Sequence, residues 1–284
     1  MQSHFFGVGS VVSWAEADVG AVATQSVVEP AFGPTGLELM REGKSAPETL
    51  QELLAGDAHP DARQVALIDR AGRVAVHTGT GCIAHAGHVV GQQVSTQANM
   101  MARDSVPDAM ARAYASAHGS LSERLLAALD AAEAEGGDLR GRQSSALLVV
   151  APRASGKPQE DVLVNLRVED HPEPLHELRR LHGLRHAYAR ADAGDQLAAA
   201  GDSAGALREY VAAHEEQPDN VELAFWCGVA LAAEGREQEG AAILRDVFAE
   251  HPAWIELLRR LPAAGLFPDD VRLIARLSGT RAEG

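Results

Sequence analysis

The chain has 284 residues, enough for one large domain or for a medium domain with an appendage. Hydrophobic residues make up 46% and aromatics only 4%, so a core must be built mainly from Ala, Val and Leu. The formal net charge of −15 opposes a nucleic-acid backbone or an anionic membrane surface as partner.

Residues 1–183 mix strand and helix signals. Two short apolar runs, Val8 to Trp14 and Val19 to Thr24, flank the acidic segment Glu16 to Asp18 and predict a β-hairpin. A Pro- and Gly-rich turn, Glu29 to Gly36, leads into two short helices. Ser45 is placed to cap the second, with Pro47 in its first turn and Gly56 beyond its end. Residues 64–78 alternate around Ala71-Gly72 as a second hairpin, and GHVVGQQVSTQANM, residues 87–100, reads as a third. Residues 104–136 form a helical block in which Leu125, Leu126, Leu129 and Ala132 share one apolar face. SSALLVVAP and DVLVNLRVED predict two last strands, joined by the polar loop Arg153 to Glu160. This order predicts an α+β fold with mainly antiparallel sheet covered by helices. A helix then follows Pro172 and runs to Leu184.

From about Arg185 alanine dominates and no strand signal remains. Gly194 and Gly228, Gly201 and Gly235, Ala206 and Gly240, and Pro218 and Pro252 are each 34 residues apart. Tyr210 with Leu244, and Ala213 with Val247, repeat the large and medium positions. The pattern resembles the tetratricopeptide repeat, whose small residues let paired helices pack closely. Two repeats and a closing helix near Pro268 to Leu277 are expected over residues 184–284, with a role in recruiting a protein partner.

Several polar residues fall at predicted strand ends. Gln97 and Asn99 close the third hairpin, where a side-chain amide could donate to a developing oxyanion. Thr24 and Gln25 end the second strand, and Thr80 lies in the glycine turn HTGTGC, whose backbone N–H groups could approach an anion. Arg140 and Arg142 precede a core strand; their forked donors suit a substrate carboxylate, the alternative being a salt bridge to Asp138. Thr24, Thr80, Asn99 and Arg142 are expected to gather at one mouth between two sheets. His77, His85, His88 and His171 match no metal-ligand spacing, and no cofactor motif is present. Cys82 and Cys227 fall in separate predicted domains, so a disulfide is not expected. With no basic-then-apolar leader and no apolar run of membrane-spanning length, a cytoplasmic protein is expected.

Four segments in order, QSHFFGVGSVVSWAEADVGAVATQ, GRVAVHTGTGC, QVSTQANMM and GGDLRGRQSSALLVV, resemble the family catalogued as domain of unknown function 1028. The resemblance runs from residue 2 to about residue 183. That family is placed with the Ntn (N-terminal nucleophile) hydrolases, which implies a four-layer αββα sandwich. It also implies a nucleophilic Thr, Ser or Cys as residue one, its own α-amino group acting as base. In the family the QSHFF-like residues follow a first strand that carries this nucleophile, so the strand is expected to be missing here through a misplaced start. Resemblance to proteasome-type sequences puts Gln2 and Ser3 on a strand lining the nucleophile's pocket. Ser3 and His4 are adjacent and so face opposite ways, leaving at most one in a site. The implied function is hydrolysis of a small, carboxylate-bearing amide, silent in the chain as written. The alternative is a non-catalytic ligand-binding or scaffold protein, and a homo-oligomer is compatible with both.

Overall fold

The computed structural model describes residues 1–279. Contacts divide the chain into Met1–Arg180 and Leu181–Gly284, a mixed α/β unit and a helical unit.

In the first unit the largest sheet is antiparallel, in the order β2 (Ser13–Glu16), β3 (Gly20–Ser26), β4 (Arg63–Asp69), β5 (Val74–Thr78). β4 pairs on both sides, Ala66 opposite Ala23 and Leu67 opposite Ala75, and nearly all of its residues are buried. Two helices, α1 (Phe32–Arg41) and α2 (Ala46–Ala55), pack on this sheet. Leu37, Met40, Leu50 and Leu53 meet Val19, Val22, Val65 and Leu67 there. A capping box starts α2: Ser45 accepts from the Glu48 N–H, and the Glu48 side chain accepts from the Ser45 N–H.

A second sheet has the order β1 (Gln2–Ser3), β8 (Ser144–Val150), β9 (Val162–Val168), and β6 (Gly87–Gly91) pairs only with β7 (Val94–Ala98). The helical block expected over 104–136 is two helices, α3 (Val106–Ser116) and α4 (Leu121–Ala134), the second restarted by a capping box on Ser120. α3 packs on β6, β7 and α4, and α4 also reaches β8.

One strand differs from expectation. Val8–Ser10 is a single 3₁₀ turn, and extended structure begins only at Ser13. The turn lies flat on β8, since a Cβ on Gly9 would stand 2.5 Å from the Ala146 Cβ. Local packing therefore overrides the apolar pattern of Val8 to Val12.

The helix expected to stop at Leu184 continues as α5 (Pro174–Ala199), because no proline interrupts it. In the helical unit α6 (Ser203–Glu216), α7 (Val221–Ala233), α8 (Glu237–Glu250), α9 (Trp254–Arg260) and α10 (Val271–Leu277) follow. α7 is apolar on all sides and lies at the centre, its Phe225 meeting Trp254 edge-to-face at 5.1 Å. The 34-residue spacing has a structural counterpart. A Cβ on Gly194 would meet the Tyr210 ring at 2.8 Å, and one on Gly228 would meet Leu244 Cγ at 2.8 Å. Each glycine thus admits a large side chain from the next helix.

Candidate functional site

A cavity of about 340 Å³ opens within the first unit. Its apolar lining comes from Val8, Val11 and Val12, from Val106, Met110 and Tyr114 on α3, and from Leu125 and Leu129 on α4. Its polar lining includes Gln2, Ser3, Gln25, Ser26, Gln97, Asn99, Asp138 and Arg140. Two lining residues, Ser26 (φ 69°) and Met100 (φ 58°), hold left-handed backbone without being glycine. Such conformations persist only where surrounding contacts enforce them, and they concentrate at binding sites.

Asp138 organises one end. Its carboxylate accepts from Arg140 Nε at 3.1 Å and Nη2 at 2.8 Å, from the Arg140 N–H at 2.9 Å and from the His4 N–H at 3.2 Å. Ser3 Oγ donates to the same carboxylate at 3.5 Å and accepts from Arg140 Nη2 at 3.2 Å. Burial pushes the Asp138 carboxyl up, but the bonds from the Arg140 guanidinium and the two backbone N–H groups outweigh it. The group is held below the ordinary carboxylate range and stays ionised. The same pairing raises Arg140.

The other polar element centres on Gln64, fully buried in β4. Its Nε2 donates to Ala98 O at 2.9 Å, Thr78 Oγ1 at 3.1 Å and Gly87 O at 3.2 Å, joining β4 and β5 to the β6–β7 pair. Its Oε1 accepts from Asn99 Nδ2 at 3.0 Å, which fixes Asn99 on the cavity wall. Gln97 Oε1 accepts from Ser95 Oγ at 3.1 Å. The Met1 amino group also lines the cavity. It donates to Ala146 O at 2.8 Å.

The structure brings Ser3, Gln25, Gln97, Asn99 and Arg140 to this cavity and places the other four expected residues elsewhere. Thr24 is fully buried and donates to Glu29 O at 3.2 Å. Its neighbours Ala23 and Gln25 line the cavity, so strand alternation turns Thr24 to the opposite face. Thr80 is exposed in a loop whose flanking Gly79 and Gly81 press on the Asp61 backbone. His4 is exposed and turns away from Ser3, its Nδ1 lying 3.3 Å from Arg142 O. Arg142 is bound to Glu133 and to both oxygens of Glu173, at 2.7 and 2.6 Å, in a separate shallow depression. The expected convergence of Thr24, Thr80, Asn99 and Arg142 does not occur, because only Asn99 lines the cavity. The two arginines do not converge on one anion either; each has its own carboxylate partner.

Two contributors were not singled out from sequence. Gln64 opens an apolar run and reads as a strand edge; its signal is an uncharged polar residue in a segment otherwise fit for complete burial. Gln2 shares with Ser3 the strand that the proteasome-type resemblance places along the pocket, but no role was given to its side chain. Among the described residues no three His, Cys, Asp or Glu side chains cluster as a metal would require. His77 Nε2 is at 2.9 Å from Pro60 O, and His88 Nδ1 is at 2.9 Å from Thr78 Oγ1. No helix among the described residues is long and apolar enough to cross a membrane.

Residues 1–178 match the model of the family of unknown function DUF1028. The chain belongs to that family. The crystal structure of a DUF1028 protein from Silicibacter pomeroyi is similar to it, with 29% identity and a TM-score of 0.57 over 64% of this chain and 76% of that one. Among curated proteins no sequence matches. The DUF1028 match therefore covers the unit that holds the cavity and ends within α5.

Proposed function

We propose that the DUF1028 unit is an Ntn-hydrolase-like αββα sandwich whose cavity binds a small, mainly apolar amide. One observation carries this: an apolar cavity holds both a fixed side-chain amide, Asn99, and the neutral Ser3–Asp138–Arg140 network. The layer order supports the fold reading, with α1 and α2 on one sheet, β2 packed near β8, and α4 against β8. Asp138 and Arg140 compensate each other, so the cavity offers no uncommitted charge to a carboxylate. A neutral amide is the better complement.

Ser3 is a weak nucleophile in this setting. Its hydroxyl contacts an ionised carboxylate held at low pKa and a guanidinium, and neither accepts a proton readily near neutrality. Ser3 is therefore not expected to turn the bound amide over. Asn99 would serve as oxyanion donor wherever a hydroxyl or thiol beside a free α-amino group faces the cavity. Commitment of Ser3 to the ion pair also favours the second reading, a ligand-binding protein with no chemistry of its own. Residues 181–279 are read as tetratricopeptide-like repeats, on the strength of the repeated Gly194–Tyr210 and Gly228–Leu244 contacts.

Titration calorimetry with short blocked amides tests the binding claim, and an amide-hydrolysis assay tests silence. Saturable binding without hydrolysis is expected. Hydrolysis that disappears in Ser3→Ala would assign catalysis to Ser3 and overturn this reading.

A further inference from the structure

β9 is the outer strand of the sheet ordered β1-β8-β9 and pairs only with β8 among the described residues. The register fixes which of its backbone groups face outward. Ala146 donates its N–H to Met1 O at 2.9 Å, so its backbone faces β1, while its neighbours Ser145 and Leu147 face β9. Their partners there are Val168 and Leu166. Asn165 and Arg167 therefore direct their N–H and C=O groups away from the sheet, and no hydrogen bond among the described residues takes them up.

A free sheet edge is normally shortened or charged to keep other chains off it. The larger sheet follows this rule: its edge strand β2 has 4 residues and ends at Glu16, which is ion-paired with Arg41. β9 does not. Its 7 residues, VLVNLRV, include no proline and no acid. Val162 and Leu163 are exposed, and Val164 and Leu166 are half-buried. Its one charged residue, Arg167, is already paired with Glu169 at 2.7 Å. In a chain of net charge −15 an acidic surface repels a second copy, and this edge lacks that repulsion.

The edge is also complementary to itself. An antiparallel two-fold through Leu166 sets Leu166 opposite Leu166 and Val164 opposite Val168, apolar against apolar on one face. On the other face Asn165 stands opposite Arg167, an amide acceptor against a guanidinium, and like charges do not oppose one another. The same register makes Asn165 and Arg167 the hydrogen-bonded pair, so each of their outward backbone groups gains a partner. The irregularity opposite Val149 and Val150 lies outside the paired segment.

We propose that β9 is a self-association edge, through which two copies of this chain join β9 to β9, antiparallel about Leu166, into one continuous sheet. The ladder is short and buries less than a permanent dimer needs, so the pair is reversible and depends on concentration.

Sedimentation velocity over a concentration series tests this on the whole chain, with amide hydrogen exchange measured at its dilute and concentrated ends. Dimer should form as concentration rises, and exchange at Asn165 and Arg167 should slow by about tenfold or more. Asn165→Pro removes an outward N–H while leaving the bonds to β8 in place, a position where an edge strand accepts proline. It should weaken association by about ten- to hundredfold and leave thermal unfolding of the dilute protein unchanged. Leu166→Cys brings thiols of the two copies within disulfide reach across the axis, so mild oxidation should cross-link it. The parent, with only Cys82 and Cys227, should stay uncross-linked. A single copy at every concentration overturns the proposal. So does a dimer in which Asn165 and Arg167 exchange as fast as in the dilute sample, since contact then lies on another surface. Should Asn165→Pro unfold, exchange in the parent and cross-linking of Leu166→Cys decide: both together uphold the pairing, and the absence of either overturns it.

Discussion

Asn99 does not hold its own position on the cavity wall; its Nδ2 is anchored to Gln64 Oε1 at 3.0 Å. The same Gln64 side chain satisfies Ala98 O, Thr78 Oγ1 and Gly87 O. Replacing it by the similarly sized Leu would take this donor from Ala98 O and Gly87 O, while Thr78 Oγ1 keeps its contact with His88 Nδ1. Gln64→Leu should therefore destabilise the first unit by about 1–3 kcal/mol. Asn99→Ala, which leaves only Gln64 Oε1 without this bond, should lower stability less than Gln64→Leu does. Urea denaturation of the two variants measures the difference, and equal midpoints would mean that Gln64 is not the anchor.

Asp138 gives a pH dependence with a defined sign. Its folded pKa lies below the ordinary value of about 4. The folded state thus binds its proton less readily than the unfolded chain does. The stability this provides is fully present above about pH 4 and is lost as the pH falls through the folded pKa. Asp138→Asn should be less stable than the parent at pH 7, and the gap should narrow below pH 4. Asp57 and Asp69 are held low as well, so the quantity that decides is the difference between the two proteins, not the acid unfolding of either. A gap constant from pH 7 to pH 3 would show that Asp138 does not act through its charge.

The elements that carried a strong period were legible in the sequence. The β4–β5 and β6–β7 hairpins, the Ser45 cap and strands β8 and β9 lie where alternation and turn residues put them. The Val8–Ser10 turn was not legible, because what decides it is Gly9 resting on Ala146, a contact between residues far apart in sequence. The site divides along the same line. Ser3, Gln97 and Asn99 reach the cavity from strands whose positions could be read. Thr24 missed it by one residue of alternation, which flips a side chain to the other face of the sheet. Arg142 missed it because its partners, Glu133 at the end of α4 and Glu173 before α5, are set by tertiary packing that spacing along the chain does not encode.

In the helical unit, a Cβ placed on Gly240 would stand 2.5 Å from Gly228 O and 3.0 Å from Ala232 N. Both obstacles are backbone, so α7 and α8 would have to move apart. Gly240→Ala gains helix propensity but should still lower stability by about 1–3 kcal/mol through overpacking. Thermal unfolding followed by circular dichroism reads the change. A melting temperature equal to or above the parent's would refute close packing of α7 on α8 at this point.

Arg142 stands apart from the cavity. Its guanidinium is committed to Glu133 and Glu173, about 40% of its side chain is exposed, and it lines a different depression. Exposed pairs of this kind contribute about 0–1 kcal/mol. Arg142→Ala should cost no more than that in stability and should leave the affinity of any cavity ligand within about twofold of the parent. Arg140→Ala should behave differently, since it strips the buried Asp138 carboxylate of its counter-charge and frees Ser3. It should weaken binding and stability together, by about 1–3 kcal/mol in stability. Calorimetry with the short blocked amides distinguishes the two arginines. Tighter dependence on Arg142 than on Arg140 would return the carboxylate-binding role to Arg142 and would require the cavity to extend past the Asp138 network.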